Sequence, residues 1–183
     1  MRVLLRALGR PERAVPSIIV AGTNGKGSTS ATLASILRAS GYRTGLYTSP
    51  HLVDIRERWM IDGVPIDDAA LAASIETLRE AAERIDIVPT YFEALTLLAF
   101  IALQQCEVTV LEVGMGGRLD ATNVVKPIAA LITPVGFDHM EYLGTTLRRI
   151  AWEKAGVIHR LLPRDAAQGG AEVLHVVEAD GGD

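Results

Sequence analysis

The stretch Ser17–Thr29, SIIVAGTNGKGST, restricts what this chain can fold into more than any other. An apolar, β-branched run (Ser17-Ile18-Ile19-Val20) passes into a glycine-rich turn, Ala21–Thr29, and then into a segment with helical character. Such a strand–turn–helix is how a phosphate cradle is built: glycines turn backbone N–H groups towards an anion, and the helix adds its positive end. Lys26 is placed to reach terminal phosphates, and Ser28 or Thr29 to approach a magnesium ion. The common phosphate-loop pattern carries a further glycine where Val20 stands, so GTNGKGS is a shortened variant. A purely structural glycine turn is the alternative, but it leaves the register of the lysine and hydroxyls unexplained.

The rest of the chain supplies the elements such a loop needs. Met1–Arg10 reads as a short helix ended by Gly9 and Pro11, and Ser28–Ser40 as the helix after the loop, with Leu33, Ile36 and Leu37 on its inner face. Thr44–Tyr47 is a second short strand, followed by Thr48-Ser49-Pro50-His51. Arg56–Ile61 and the turn at Asp62-Gly63 suggest an excursion back towards the sheet. Asp67–Ile85 is an amphipathic helix, and Thr90–Gln105, apolar almost all round, a buried one. Glu107–Val113 reads as a central strand, Pro127–Val135 as another, and Thr145–Ala155 as the last helix. Strands alternating with helices imply a three-layer α/β/α phosphate-loop domain with a mostly parallel sheet.

Composition narrows the function classes. In 183 residues, 49% hydrophobic and 22% charged, there is material for one domain with a substantial core. A net charge of −4 without a basic cluster argues against a nucleic-acid partner. The most apolar stretch, Ala94–Leu103, is too short to span a bilayer, so no membrane partner is expected. The single cysteine, Cys106, and the absence of a leader-like opening suit the cytoplasm.

In parallel sheets, ligands gather beyond the carboxyl ends of the strands. Four apolar runs end near Val20, Tyr47, Val113 and Val135, and each is followed by polar, glycine-bearing residues. Lys26, Ser49, Glu112 and Asp138-His139 are therefore expected to converge. Glu112, at the end of a buried strand, needs either a metal or a buried arginine to offset its burial. Ser49 by itself is compatible with simple turn chemistry, His139 with a loop residue, and Arg118 and Asp120 with a mutual ion pair. Only three of the 18 basic residues are lysines, and Lys154 shares a helical stripe with Leu147, Ile150 and Ala151. A lysine facing a core must find an anion, lose its charge or be modified; the bland alternative is that it snorkels to the rim.

GTNGKGST, TSPHL, EVGMGGRLDATN, FDH and IAWEKAGVI, in this order and spacing, resemble the dihydrofolate synthase/folylpolyglutamate synthase family of Mur-type ATP-dependent amide ligases, from about Leu4 to Ile158. EVGMGGRLDATN separates folate ligases from their cell-wall relatives. The resemblance implies an enzyme that moves the γ-phosphate of ATP to a carboxylate, after which the amine of L-glutamate displaces phosphate to form an amide on dihydropteroate or a reduced folate. It implies that Thr23, Asn24, Gly25, Lys26, Gly27 and Ser28 hold the ATP phosphates, with Lys26 also catalytic. Ser49 and Glu112 would bind one Mg2+, and Glu112 and His139 a second, joined by a carbamylated Lys154. Catalytic roles then fall to Lys154 and His139, and Thr90-Tyr91-Phe92-Glu93 and Leu119-Asp120-Ala121 would line the pterin site. A monomer is expected.

The resemblance also implies a longer protein with a C-terminal domain that closes over the site. Residues 1–158 are thus read as a truncated ATP-binding domain and 159–183 as a divergent, disordered tail, as in a gene fragment. The alternatives are a nucleotide-binding remnant without ligase activity and another Mur-type amide ligase.

Overall fold

A computed structural model describes residues 1–158. The elements run α1 (Arg2–Ala7), β1 (Ser17–Ala21), α2 (Lys26–Ala39), β2 (Thr44–Tyr47), β3 (Trp59–Ile61), β4 (Val64–Pro65), α3 (Asp68–Arg84), α4 (Tyr91–Ala102), β5 (Val108–Glu112), β6 (Ala129–Ile132), α5 (Met140–Leu143) and α6 (Leu147–Ala155). They build a six-stranded sheet in the order β4-β3-β2-β5-β1-β6. The neighbours among β2, β5, β1 and β6 pair in parallel, and β3 and β4 add an antiparallel edge, which is the excursion expected at Asp62-Gly63.

The strands sort their side chains by the alternation of the pleat. Ile19, Ala21, Tyr47 and Leu111 join the large core, packed with Leu4 and Leu5 of α1, Leu78 of α3 and Leu95–Phe100 of α4. Val20, Leu46 and Val110 point the other way, under Leu33 and Leu37 of α2. The sheet is therefore covered on both faces, but far more heavily on one.

Several local expectations shift. The helix after the loop begins at Lys26 rather than Ser28, so the lysine stands in its first turn. Ile36, expected on its inner face, is 57% exposed, because α2 meets the sheet along a narrower stripe. On α6 Ile150 and Lys154 are buried, whereas Leu147 is 45% exposed in the first turn. The sequence reading has no counterpart to α5, a single turn between Asp138 and α6. The tail 159–183 lies outside the described residues.

Candidate active site

The loop after β1 is held from behind. Thr23 N donates to Pro134 O at 3.0 Å, and the Thr23 hydroxyl donates to Gly136 O (3.1 Å) while accepting from Gly136 N (3.0 Å). Thr23, expected at the phosphates, thus spends its hydroxyl on the segment after β6. Gly25 precedes α2 with φ 80°, a conformation that suits glycine, and the Ser28 hydroxyl donates to Gly25 O at 3.1 Å. Lys26 Nζ folds back onto Thr23 O at 3.2 Å. Asn24, Gly25 and Ser28 are exposed.

No side chain caps α2 and no acidic residue stands in its first turn, in contrast to α3, α4 and α6, capped by Asp67, Thr90 and Thr146. Its first amides are left for another anion. Glu112, the last residue of β5, lies directly opposite: a Cβ placed on Gly27 would sit 3.6 Å from Glu112 Oε1. Glu112 is buried and accepts one hydrogen bond, from Ser49 N at 3.0 Å. Among the described residues it has no ion-pair partner, so the buried-arginine alternative does not hold. Burial raises its pKa, against the Ser49 amide and the fields of Lys26 and Arg58.

Lys154 is fully buried and does not snorkel. Its Nζ donates to Gly22 O at 2.7 Å and to Asp138 Oδ2 at 2.8 Å, fastening α6 to the start of the phosphate loop. Burial lowers its pKa, the Asp138 contact opposes this, and Lys26 adds to the lowering. Asp138, despite partial burial, is held below the usual carboxylate range by Lys154, His139 and Lys26. His139 sits in the left-handed region (φ 39°), with Nε2 3.5 Å from Asp138 Oδ1. The expected metal ligands therefore arrive as two sets, Ser49 with Glu112, and His139 with Lys154, the latter two joined through Asp138. The charge of Lys26 reaches Glu112 in one set and Asp138 and Lys154 in the other. Among the described residues no three His, Cys, Asp or Glu side chains gather in one cluster.

Beside these sets lies a cavity of about 980 Å³. Ser49 and His139 stand at its wall, along with Thr90, Phe92, Glu93, Leu119, Asp120 and Ala121, all expected from the sequence. Tyr91, 66% exposed, does not line it. Two roles change. Asp120 does not pair with Arg118; its carboxylate accepts from Gly114 N, Met115 N, Thr122 N and the Thr122 hydroxyl, at 2.6–3.1 Å, and so organises the loop. Arg118 instead forks onto Glu153 at 2.9 and 3.1 Å. Glu93 shares a capping box with Thr90, whose amide donates to it at 3.0 Å. Sequence reasoning placed Asp138 near the site without a role, and it missed Arg58, whose burial no local pattern announces.

A mostly parallel sheet, with an uncapped helix start after a glycine-rich turn that suits an anion, defines the class as an α/β domain. Within that class the chain belongs to the Mur ligase middle-domain family, which it matches over residues 20–168. It is 40% identical over 184 aligned residues to the dihydrofolate synthase/folylpolyglutamate synthase of Bacillus subtilis, covering 97% of this chain and 43% of that protein. Among solved structures it is similar to E. coli FolC in complex with DHPP and ADP (TM-score 0.81, 44% identity, 85% of this chain and 37% of that one). An FPGS–AMPPCP–folate complex aligns with TM-score 0.87 and 42% identity, over 95% of this chain and 42% of that chain. The chain thus spans less than half the length of the relatives it matches. Among the described residues no helix is long and apolar enough to cross a membrane.

Proposed function

We propose that this chain carries the nucleotide-binding and acyl-phosphate-forming part of an ATP-dependent ligase joining L-glutamate to dihydropteroate or a reduced folate. One observation carries the reading most: a buried carboxylate without an ion-pair partner, Glu112, faces the uncapped first turn of α2 and accepts from the amide of Ser49, a residue that lines the large cavity. An anion on the loop and a cation at Glu112 would answer both needs together. The similarity to enzymes solved with ADP, AMPPCP and folate supports ATP as the nucleotide and a folate as the cavity's occupant.

In this reading Lys26 and the amides of Asn24–Ser28 hold the phosphates. Glu112 with Ser49 would hold one Mg2+, and Glu112 with His139 would help hold a second. The donor set fits, because Glu112 keeps coordination capacity that the protein does not use. Bound magnesium would neutralise charge on the phosphoryl group being transferred. The substrate carboxylate then attacks the γ-phosphorus, and the glutamate amine displaces phosphate. Thr23 and Lys154 act from behind, tying the loop to the segment after β6 and to α6. As placed, Lys154 has two acceptors and no donor at Nζ, which suits an ammonium. We therefore tie its carbamylation to metal binding, since a carbamate facing Asp138 and Gly22 O needs a cation between.

Calorimetric titration tests the reading. The chain is expected to bind ADP more tightly with Mg2+ and to bind pteroate in the presence of ADP. Labelled bicarbonate is expected to mark Lys154 only when Mg2+ is present. Nucleotide binding without any response to pteroate identifies a nucleotide-binding domain lacking the ligase chemistry, and no nucleotide binding removes the phosphate-loop assignment.

A further inference from the structure

Arg58 stands out because, among the described residues, no carboxylate forms an ion pair with its guanidinium, although its field reaches Glu112. It closes the helical turn Ile55–Arg58 just before β3, and it is 7% exposed. Antiparallel pairing of Tyr47 with Trp59 sets Arg58 beside Thr48, whose amide donates to Arg58 O at 3.1 Å. The side chain is thereby carried to the carboxyl end of β2, next to Ser49. Its Nε donates to His51 Nδ1 at 2.9 Å. Among the described residues neither Nη atom donates a hydrogen bond, and no carboxylate forms an ion pair with the guanidinium. A buried cation left in that state is costly.

The unpartnered nitrogens are not sealed off: the buried unpartnered side-chain atoms among the described residues are Glu12 Oε2 and Ser30 Oγ. Arg58 lines the large cavity with Ser49, Pro50, Phe92 and the glycines after Val113, and no residue of the phosphate loop 22–28 lines it. The guanidinium therefore serves the cavity's occupant rather than the nucleotide. The surrounding loop is built to hold it there. Glu57 accepts from the amides of Leu52, Val53 and Asp54 at 2.8–3.1 Å, fixing the segment that follows His51.

We propose that Arg58 binds the carboxylate of the acyl substrate, the group that becomes phosphorylated; the assignment rests on the ligase reading above. A guanidinium presents parallel N–H donors that match a carboxylate's two oxygens, which an ammonium does not. Held so, the carboxylate lies near Ser49, whose amide donates to Glu112 opposite the start of α2. One of its oxygens forms a bond to the γ-phosphorus as the bond from that phosphorus to the bridging oxygen breaks. ADP leaves with the electron pair, and no oxidant, reductant or added proton is required. Arg58 is then a catalytic residue in the sense of touching the reacting group.

The test compares pteroate with its carboxamide analogue, titrated into the full chain saturated with ADP and Mg2+. Wild type is expected to prefer the carboxylate by about tenfold or more. Arg58→Gln is expected to abolish the preference while ADP affinity stays unchanged, and Arg58→Lys to retain part of it. A folded Arg58→Gln protein that keeps the full preference overturns the assignment and leaves Arg58 as a support for His51. Loss of ADP affinity with the preference intact overturns it in favour of a nucleotide contact. Should Arg58→Gln fail to fold, an undiminished preference in Arg58→Lys overturns it equally. Wild type that binds ADP but neither pteroate form defeats the ligase reading itself, and this assignment with it.

Discussion

α4 and α2 lie on opposite faces of one sheet and are built for different ends. α4 begins with a reciprocal capping box between Thr90 and Glu93 and buries six of its residues, from Leu95 to Phe100. α2 begins at an uncapped left-handed glycine, and Ser30 is its one buried residue. Its hydrophobic partners are Val20, Leu46 and Val110, a small fraction of the core on the other side. α4 is a folding element whose start is closed by the Thr90–Glu93 box; α2 lacks a side-chain cap at its first amides and is stabilised less by packing. The difference teaches that core packing and the proposed nucleotide contact are separated across the sheet, while the start of α4 also lines the large cavity. Leu111 and Glu112, adjacent on β5, look to opposite sides of that division.

The sharpest way to break the contrast is Leu97→Ala in α4. Leu97 is fully buried in the large core, and the substitution should cost about 3 kcal/mol of stability in denaturant titration. Nucleotide affinity of the folded fraction should not change; a parallel loss would show that the two faces are coupled. Lys26→Ala should do the reverse: about a hundredfold loss of ADP–Mg2+ affinity, with stability within about 0.5 kcal/mol of wild type. Equal affinities would deny α2 its binding role. Thr90→Ala, which removes the α4 cap, should cost about 1 kcal/mol by melting and leave ADP binding alone. A comparable loss on replacing Ser28, whose hydroxyl returns to Gly25 O, would mean α2 has a working cap after all.

The smallest effect concerns Glu112 and pH. Its folded pKa lies above the ordinary 4.5, so the folded state holds the proton more tightly than the unfolded state. Its contribution to stability is therefore complete below about pH 4.5 and is lost as pH rises through the folded value. Glu112→Gln removes that loss. In magnesium-free buffer the variant should match wild type in acid and become modestly more stable through that window, while losing the Mg2+-dependent part of nucleotide affinity. A collapse of stability at neutral pH would make Glu112 a structural member instead.

What could be read from sequence was whatever is local. The order strand–glycine turn–lysine placed the turn between β1 and α2, because turn chemistry depends on neighbouring residues. Alternating and helical periods placed the strands and the buried stripe holding Ile150 and Lys154, because such periods record which face meets the core. Periods do not record how far a helix lies from its neighbour, so Ile36 and Leu147 were expected inside and stand outside. Partnership across the chain was decided by tertiary structure. Asp138 meets Lys154, Arg118 meets Glu153, and Asp120 turns inward to its own loop because sheet order and loop path set those distances. The antiparallel edge brings Arg58 beside Ser49 in the same way, and no spacing in IRERWMI announces it. Local chemistry chose the groups; the crossing of distant strands chose which of them were already satisfied and which still need a ligand.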